Sequence, residues 1–171
     1  MAPTTQTAPT IKGPPPEAFD FVRAGLEWTV RRIHGSPPKG WNKLVEWMQH
    51  QDVTLPDLSE RYRRRRLPAS ILRLVKKLGG PEVLETRHVA GAQLCDGLRD
   101  LAVRKWGRMA FCVLRQWGIH TTRDFGRMVF TLIEIEELQK RADDTIEDFD
   151  NVFDFETSFV RNYRIPLPAR L

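Results

Sequence analysis

The sequence predicts a mainly α-helical protein that carries a helical insertion and ends in a β-hairpin. Apolar residues recur at spacings of three and four between breaks rich in glycine and proline, which is the pattern of amphipathic helices. Near the C-terminus the period changes to two, because Phe149, Phe153 and Phe155 alternate with acidic residues, and this predicts a strand. Three helices followed by a hairpin form a winged-helix-like layout; a plain helical bundle with an appended strand is the alternative.

The chain begins with a segment that is too polar and too rich in proline to pack. Residues 1–16 consist largely of Thr, Pro and Ala, so they bury too little apolar surface to offset chain entropy, and we expect a disordered tail. Glu17 then places an acid in the first turn of a helix that ends near Gly35. The apolar stripe of this helix, over 17–34, is formed by Phe19, Val22, Leu26, Val30 and Ile33.

Residues 35–87 are predicted to be an insertion of short helices that are separated by proline and glycine. The first spans 40–50 and the second spans 56–66. The third begins at Pro68 and ends before a glycine pair.

Residues 88–160 complete a core domain that begins with 17–34. The last helix of this domain should open on a capping box, in which Thr121 supplies the N-cap hydroxyl and Asp124 supplies an acid three residues later. The predicted helices are 91–106, 108–117 and 121–138.

Two C-terminal segments are predicted to lie outside regular structure. Residues 143–150 are so acidic that we expect a solvated loop before the hairpin, and residues 161–171, which are basic and contain two prolines, should form a flexible tail.

The excess positive charge lies in the insertion. The chain has 27 Lys and Arg against 22 Asp and Glu, a net charge of +5, while 35–87 alone carries 11 bases against 6 acids. Residues 134–156, in contrast, carry ten acids and two bases. The molecule should therefore present two surfaces of opposite sign.

The strongest candidate binding residues surround an arginine-rich run in the insertion. Guanidinium groups match phosphate oxygens, and Tyr62 can stack on a base. Four successive arginines on a helix cannot all be buried without partners. They can contact RNA or DNA phosphates, or pair with the acidic 134–156 face of the same molecule or of a second copy. The candidate nucleic-acid-binding residues are Arg61, Tyr62, Arg63, Arg64, Arg65, Arg66, Arg73, Lys76 and Lys77.

No pattern of catalysis or metal binding accompanies these residues. The histidines and cysteines lack metal-ligand spacing, no glycine-rich loop follows a strand, and 143–150 lacks the glycine and glutamate of an EF-hand loop. We therefore expect no catalytic residue, metal or cofactor; an enzyme would need a pocket that brings His88 or His120 together with several acids. Cys95 and Cys112 are predicted to be buried and structural, in a reducing cytoplasm. No apolar run can cross a membrane, and the N-terminus lacks the pattern of a secretory signal.

Several short runs carry a resemblance to a known family. Taken together, they resemble a family of uncharacterised conserved small proteins from planctomycete and verrucomicrobial bacteria, over about 17–34 and 88–160. The resemblance implies no activity, cofactor or catalytic residue, and the chain departs from the family pattern because its 35–87 segment is much longer. The runs are FDFV at 19–22, TV at 29–30, HVAGAQL at 88–94, WGI at 117–119, DFG at 124–126 with VF and LI after it, EDF at 147–149 and FDF at 153–155.

The sequence thus predicts a cytoplasmic, non-enzymatic binding protein that contacts RNA or DNA phosphates through its basic insertion. The alternative is a protein–protein interaction adaptor that uses the acidic C-terminal hairpin together with the insertion. The two hypotheses differ in whether nuclease treatment releases the partner.

Overall fold

The computed structural model describes residues 13–138, 140, 141 and 143–163, and these residues form an all-helical protein. The predicted tails lie mostly outside the described residues, since 1–12 and 164–171 are not among them. The helices are α1 (Pro16–His34), α2 (Trp41–His50), α3 (Leu55–Arg63), α4 (Ala69–Leu78), α5 (Glu82–Glu85), α6 (Gly91–Trp106), α7 (Ala110–Gln116) and α8 (Thr122–Glu134), with short 3₁₀ segments at Gly107–Met109 and Ile146–Phe149 and a π-helical turn at Thr157–Arg161.

The prediction of a C-terminal β-hairpin is wrong. No strand occurs in the part of the chain that the structure describes, so the winged-helix-like layout, which needs a hairpin as its wing, is not present either. The alternation of Phe and Asp has a different cause. Phe149 lies in the 3₁₀ segment, whereas Phe155 and Phe159 are four residues apart on a helical turn, and all three are buried.

Two of the acidic residues next to these phenylalanines, Asp148 and Asp154, cap helical turns rather than form the outward face of a strand. The Asp148 carboxylate accepts a hydrogen bond from Thr145 N at 2.8 Å, and the Asp154 carboxylate accepts one from Thr157 N at 2.7 Å. The bond from Thr157 lowers the pKa of Asp154. Asn151, with φ +50°, adopts a left-handed conformation in the turn between the two capped segments. Residues 143–150 are therefore not a simple solvated loop, since short-range capping lets their acids coexist with a buried Phe149.

The first hydrophobic core is built around the crossing of α1 and α6. Gly97 faces Thr29, and a Cβ placed on Gly97 would lie 1.8 Å from Thr29 Oγ1. Gly25 faces Leu98 in the same way, with 2.2 Å to Leu98 Cδ2. The Thr29 hydroxyl is buried and donates to Gly25 O at 2.6 Å. The two helix backbones can approach this closely only because both glycines lack a side chain.

This crossing rotates α1 relative to the predicted stripe. The most buried positions are small or central to the contact with α6, whereas Ile33, at the end of the predicted stripe, is 42 % exposed. Large apolar side chains alone therefore do not identify the buried face. The buried residues of α1 are Ala18, Phe21, Val22, Gly25 and Thr29.

The insertion has a hydrophobic core of its own. Helices α2, α3 and α4 contribute apolar side chains to a second cluster that contains no residue of α1, α6, α7 or α8. Each of these three helices is only nine or ten residues long. Such short helices are marginal alone, so this second core supplies most of their stability. The buried members of this cluster are Leu44, Met48, Val53, Leu58, Leu67, Ile71, Val75 and Leu78.

The two ends of the insertion meet beside α1. The Arg87 guanidinium donates from Nη1 to His34 O at 3.1 Å and from Nη2 to Gly35 O at 2.6 Å. His34 Nε2 lies 2.9 Å from His88 O. Arg87 also stacks on the ring of Trp41, 5.1 Å from its centroid. We call the four residues His34, Gly35, Arg87 and His88 the clasp.

The start of α8 carries the predicted acid at its third position. The Asp124 carboxylate accepts hydrogen bonds from Thr121 N at 2.9 Å and His120 N at 3.0 Å, while the Thr121 hydroxyl donates to the same carboxylate. Burial raises the pKa of Asp124. These hydrogen bonds and the charge of Arg127 together lower the pKa by more than burial raises it, so the pKa lies below its usual value.

Replacing Asp124 with asparagine should therefore destabilise the protein in a pH-dependent way. At neutral pH we expect a loss of about 1 kcal/mol in the free energy of unfolding, because the ionised carboxylate is the better cap. Because the folded-state pKa is lowered, this contribution is complete above the unfolded pKa of about 3.9 and is lost as the pH falls through the folded-state value. Urea unfolding at several pH values, with Asp143→Asn as an exposed control, measures the difference. A constant difference down to pH 2 would contradict this account.

The two cysteines differ in environment. Cys95 is buried in the first core, as predicted, and burial raises its pKa to about 12. The prediction for Cys112 is wrong, since this residue is exposed on α7. Its place beside the apolar residues Phe111 and Val113 suggested burial, but α7 is only seven residues long and buries just Ala110 and Leu114.

Candidate nucleic-acid interface

The candidate residues predicted from sequence fall on two neighbouring helices and the turn between them. Arg61, Tyr62 and Arg63 form the last turn of α3, and Arg64 ends that helix. The remaining candidates lie in the turn or on α4; they are Arg65, Arg66, Arg73, Lys76 and Lys77.

The arginine run does not encircle one helix, because α3 ends three residues before the predicted boundary. Arg65 adopts φ +53°, and its N–H donates to Tyr62 O at 3.1 Å. The N–H of Arg66 donates to Arg61 O at 2.8 Å, which completes a Schellman motif. The turn delivers Leu67 to the second core, and Pro68 disfavours helical backbone at the residue before it. Arg64, Arg65 and Arg66 are exposed as a result.

Tyr62 is less available than the sequence suggested. Its ring is half-buried and packs against the second core, beside the apolar residues of α2, α3 and α4. The structure thus gives this tyrosine a packing role at the C-terminus of α3. The interface that remains consists of cations.

Helix α4 separates its apolar and basic residues cleanly. Ile71, Val75 and Leu78 are buried in the second core. Arg73 and Lys77 lie one turn apart and are exposed on the opposite side, with Lys76 beside them. Three cations are therefore fixed on one rigid helix rather than on a loop.

A shallow groove between α2 and α4 adds a cation that sequence reasoning missed. The groove has a volume of about 310 Å³, and Lys43 of α2 lines it together with Ser70, Arg73 and Lys77 of α4. The helices come close because Gly40 leaves room for Leu74, whose Cδ1 would lie 2.6 Å from a Cβ at that position. A sequence signal for Lys43 does exist. Lys43 directly precedes Leu44, which is predicted to face inward, so it should lie at the edge of the packed face of its helix.

Few of these cations have an acidic neighbour. Glu60 pairs with Arg64 at 2.6 Å and with Arg63 at 3.5 Å. Among the described residues, no ion pair is formed by Lys43, by Arg61, whose charge acts on Asp57, or by five other predicted cations. A guanidinium or ammonium group without a counterion remains available to an anion from outside. The five are Arg65, Arg66, Arg73, Lys76 and Lys77.

The acidic 134–156 region does not neutralise the insertion. No ion pair joins 61–77 to 134–156 among the described residues; the acids instead engage bases of the first core. Internal pairing, one of the alternatives considered for the arginine run, is therefore not formed there. The observed pairs are Glu137 with Arg23, Asp144 with His88, Glu147 and Asp150 with Arg123, and Glu156 with Arg161.

Comparison with known proteins adds no relative: no family model, curated protein or solved structure matches this chain. The family resemblance described above thus stays a prediction. Within the described residues, no helix is long and apolar enough to cross a membrane, and no group of three or more His, Cys, Asp or Glu is placed to hold a metal ion.

Proposed function

We propose that this chain is a non-enzymatic nucleic-acid-binding protein of the cytoplasm that contacts RNA or DNA phosphates through its insertion. The observation that carries the proposal is the cluster of exposed cations without acidic neighbours, which we call the basic surface. Its members are Lys43, Arg65, Arg66, Arg73, Lys76 and Lys77.

The chemistry of this surface suits phosphates better than bases. Lysine and arginine bind phosphate oxygens through charge-assisted hydrogen bonds, and each neutralised phosphate releases condensed counterions. Tyr62, the one aromatic residue among the predicted candidates, packs against the second core. Contacts to phosphate carry no sequence information directly. We therefore expect binding that depends strongly on salt and weakly on sequence.

Removing five cations of the basic surface should abolish most of this binding. The variant replaces those on the turn and on α4 by glutamine and leaves Arg63 and Arg64, which share Glu60. We expect the affinity for a mixed-sequence 20-mer to fall at least about 100-fold at low salt, and the slope of log K against log[salt] to fall by roughly 0.7–0.9 per lost contact. Fluorescence anisotropy with labelled RNA and DNA measures both. The replaced residues are Arg65, Arg66, Arg73, Lys76 and Lys77.

A variant with the same net charge is the control. It replaces five exposed bases of the first core by glutamine and should keep affinity and salt slope within about threefold of the unaltered protein. Equal loss in the two variants would mean that net charge, rather than this surface, drives binding. Failure of the unaltered protein to bind either nucleic acid at low salt would refute the proposal outright. The control residues are Arg104, Lys105, Arg108, Arg115 and Lys140.

The adaptor alternative has less support. It relied on an acidic hairpin, which is not present, and several of the acids assigned to that hairpin cap helical turns or pair with arginines of the first core. Recovery of a protein partner that survives nuclease treatment would favour the adaptor.

A further inference from the structure

A cavity in the first core lies apart from the basic surface. It has a volume of about 210 Å³ and is bounded by α1, α6, α8, two residues of the clasp (Arg87 and His88) and the 3₁₀ segment that ends at Phe149. An apolar cavity of about 150 Å³ is large enough to bind benzene. Most of its wall is apolar: Leu26, Val30, Val89, Leu94, Val129, Phe130, Ile133, Leu138 and Phe149.

Polar groups converge at one side of this cavity. His88 Nε2 lies 2.9 Å from Asp144 Oδ1, and the two side chains are 27 % and 23 % exposed. Arg87 and Asp148 also line the cavity. From the sequence, we expected an enzyme to need a pocket that brings His88 or His120 together with several acids. This cavity does bring His88 together with two acids. The described lining includes no hydroxyl, thiol or amine side chain, and an apolar cavity with a few convergent polar groups is the usual form of a small-molecule binding site.

The acids of the cavity already accept hydrogen bonds from the chain itself. Asp144 accepts from the backbone N–H of Arg141 at 2.7 Å as well as from His88, and Asp148 accepts from Thr145 N at 2.8 Å. Each of these carboxylates therefore already has at least one donor from the chain.

Arg87 provides the contrasting observation, a donor without an acceptor. Its two terminal nitrogens bind the carbonyls of His34 and Gly35, but its Nε–H is buried and has no hydrogen-bond partner. A buried N–H group that is left unpaired has lost its bonds to water without replacing them, which is unfavourable. Both acceptors are neutral carbonyl groups, so these two hydrogen bonds do not pair the guanidinium charge with an acid. Arg87 therefore brings to the lining of this cavity a buried N–H group for which the described part of the chain supplies no acceptor.

We propose that this cavity binds a small organic molecule of roughly ten non-hydrogen atoms, with an apolar body and a carboxylate or carbonyl oxygen at one end. The apolar body would fill the space between α1, α6 and α8. The oxygen would accept from Arg87 Nε, beside His88. The proposal does not depend on nucleic-acid binding, because the cavity and the basic surface share no residue.

Methyl NMR with three matched probes tests the ligand class. Phenylacetate carries an acid, phenylacetamide a neutral carbonyl, and phenethylamine a cation on the same ring. We expect the labelled methyl groups of Leu26, Val30, Leu94, Val129 and Ile133 to shift with phenylacetate, phenylacetamide or both, with a Kd of about 1 mM or tighter. If phenylacetate binds more tightly than phenylacetamide, the ligand forms an ion pair with the protein. If the two bind equally, the ligand contributes a neutral carbonyl acceptor. Equal or tighter binding of phenethylamine, or no shift with any probe, overturns the proposal.

Two space-filling variants and one control locate the binding. Val30→Phe and Val129→Phe should each abolish the shifts, and the variant on the half-buried Val30 serves if the substitution in the core at Val129 does not fold. Val113→Phe, at a half-buried valine of α7 that does not line the cavity, should bind like the unaltered protein. Arg87→Lys, which keeps the charge and removes Nε, should weaken phenylacetate binding at least fivefold. Binding that survives both filling variants would place the ligand elsewhere and overturn the proposal.

Discussion

Replacing Gly97 with valine is expected to prevent the first core from folding. Even the Cβ of alanine would lie 1.8 Å from Thr29 Oγ1 and 2.9 Å from Thr29 Cβ, so the backbones of α1 and α6 would have to separate along their whole contact. We expect Gly97→Ala to cost about 3 kcal/mol or more in the free energy of unfolding, and Gly97→Val to leave no cooperative unfolding transition. Circular dichroism during thermal and urea unfolding measures both.

The sign of this effect separates packing from helix propensity. In an exposed helix, replacing glycine with alanine stabilises by about 1 kcal/mol, so a loss at Gly97 must come from the contact with Thr29. Ala92→Val, at an exposed position of the same helix, should change stability by well under 1 kcal/mol. Thr29→Ala removes the atom nearest to the added methyl group and should recover part of the loss from Gly97→Ala. Independent, additive effects of the two substitutions would contradict the assigned contact.

Removing the insertion should leave a folded core that no longer binds nucleic acid. Residues 36–86 contribute every buried side chain of the second core and none of the first. The clasp holds the two cut ends together, since Arg87 bonds to the carbonyls of both His34 and Gly35. A four-residue Gly-Ser linker therefore suffices to reconnect the chain. We expect cooperative thermal unfolding and no detectable anisotropy change with the 20-mer that the unaltered protein binds.

The tryptophans give this deletion an internal check. Trp106 and Trp117 pack edge to face in the first core, with ring centroids 5.3 Å apart, and should keep their blue-shifted fluorescence. Nucleic-acid binding that persists in a folded deletion variant would place the interface on the first core. A variant that does not fold would show instead that the first core depends on the insertion for its stability.

The helices were predictable because their signals are local. Pro16 and Glu17 mark the start of α1, Gly35 follows its last residue, and Asp124 caps α8, all within a few residues of the helix ends. The prediction for the C-terminal region was wrong because the signal that decides its structure is not local. A period of two in Phe and Asp is the same pattern whether the acids face water from a strand or cap short helical turns. Only contacts with distant residues decide, and Phe149 fits where Gly91 and Gly126 leave space for its ring.

The candidate site was predictable in composition but not in geometry. Charge counting identified the segment. The end of α3, however, depends on Arg65, which adopts a left-handed conformation that favours glycine, and the sequence does not indicate this conformation. Lys43 joins the site only through the packing of α2 on α4. The half-burial of Tyr62 likewise follows from the second core. The positions of Lys43 and Tyr62 thus depend on tertiary contacts, which local sequence patterns do not show.

The clasp also bears on the order in which the molecule can assemble. His34 and His88 are 54 positions apart in the sequence, so bringing α1 to α6 first closes a long, flexible loop. If α2, α3 and α4 have already collapsed around their own core, the effective loop is several times shorter. Three halvings of loop length reduce the entropic cost of closure by roughly 2 kcal/mol. The extra segment then acts as a folded bridge, and the sequence distance that it adds slows the pairing of α1 with α6 far less than its length implies.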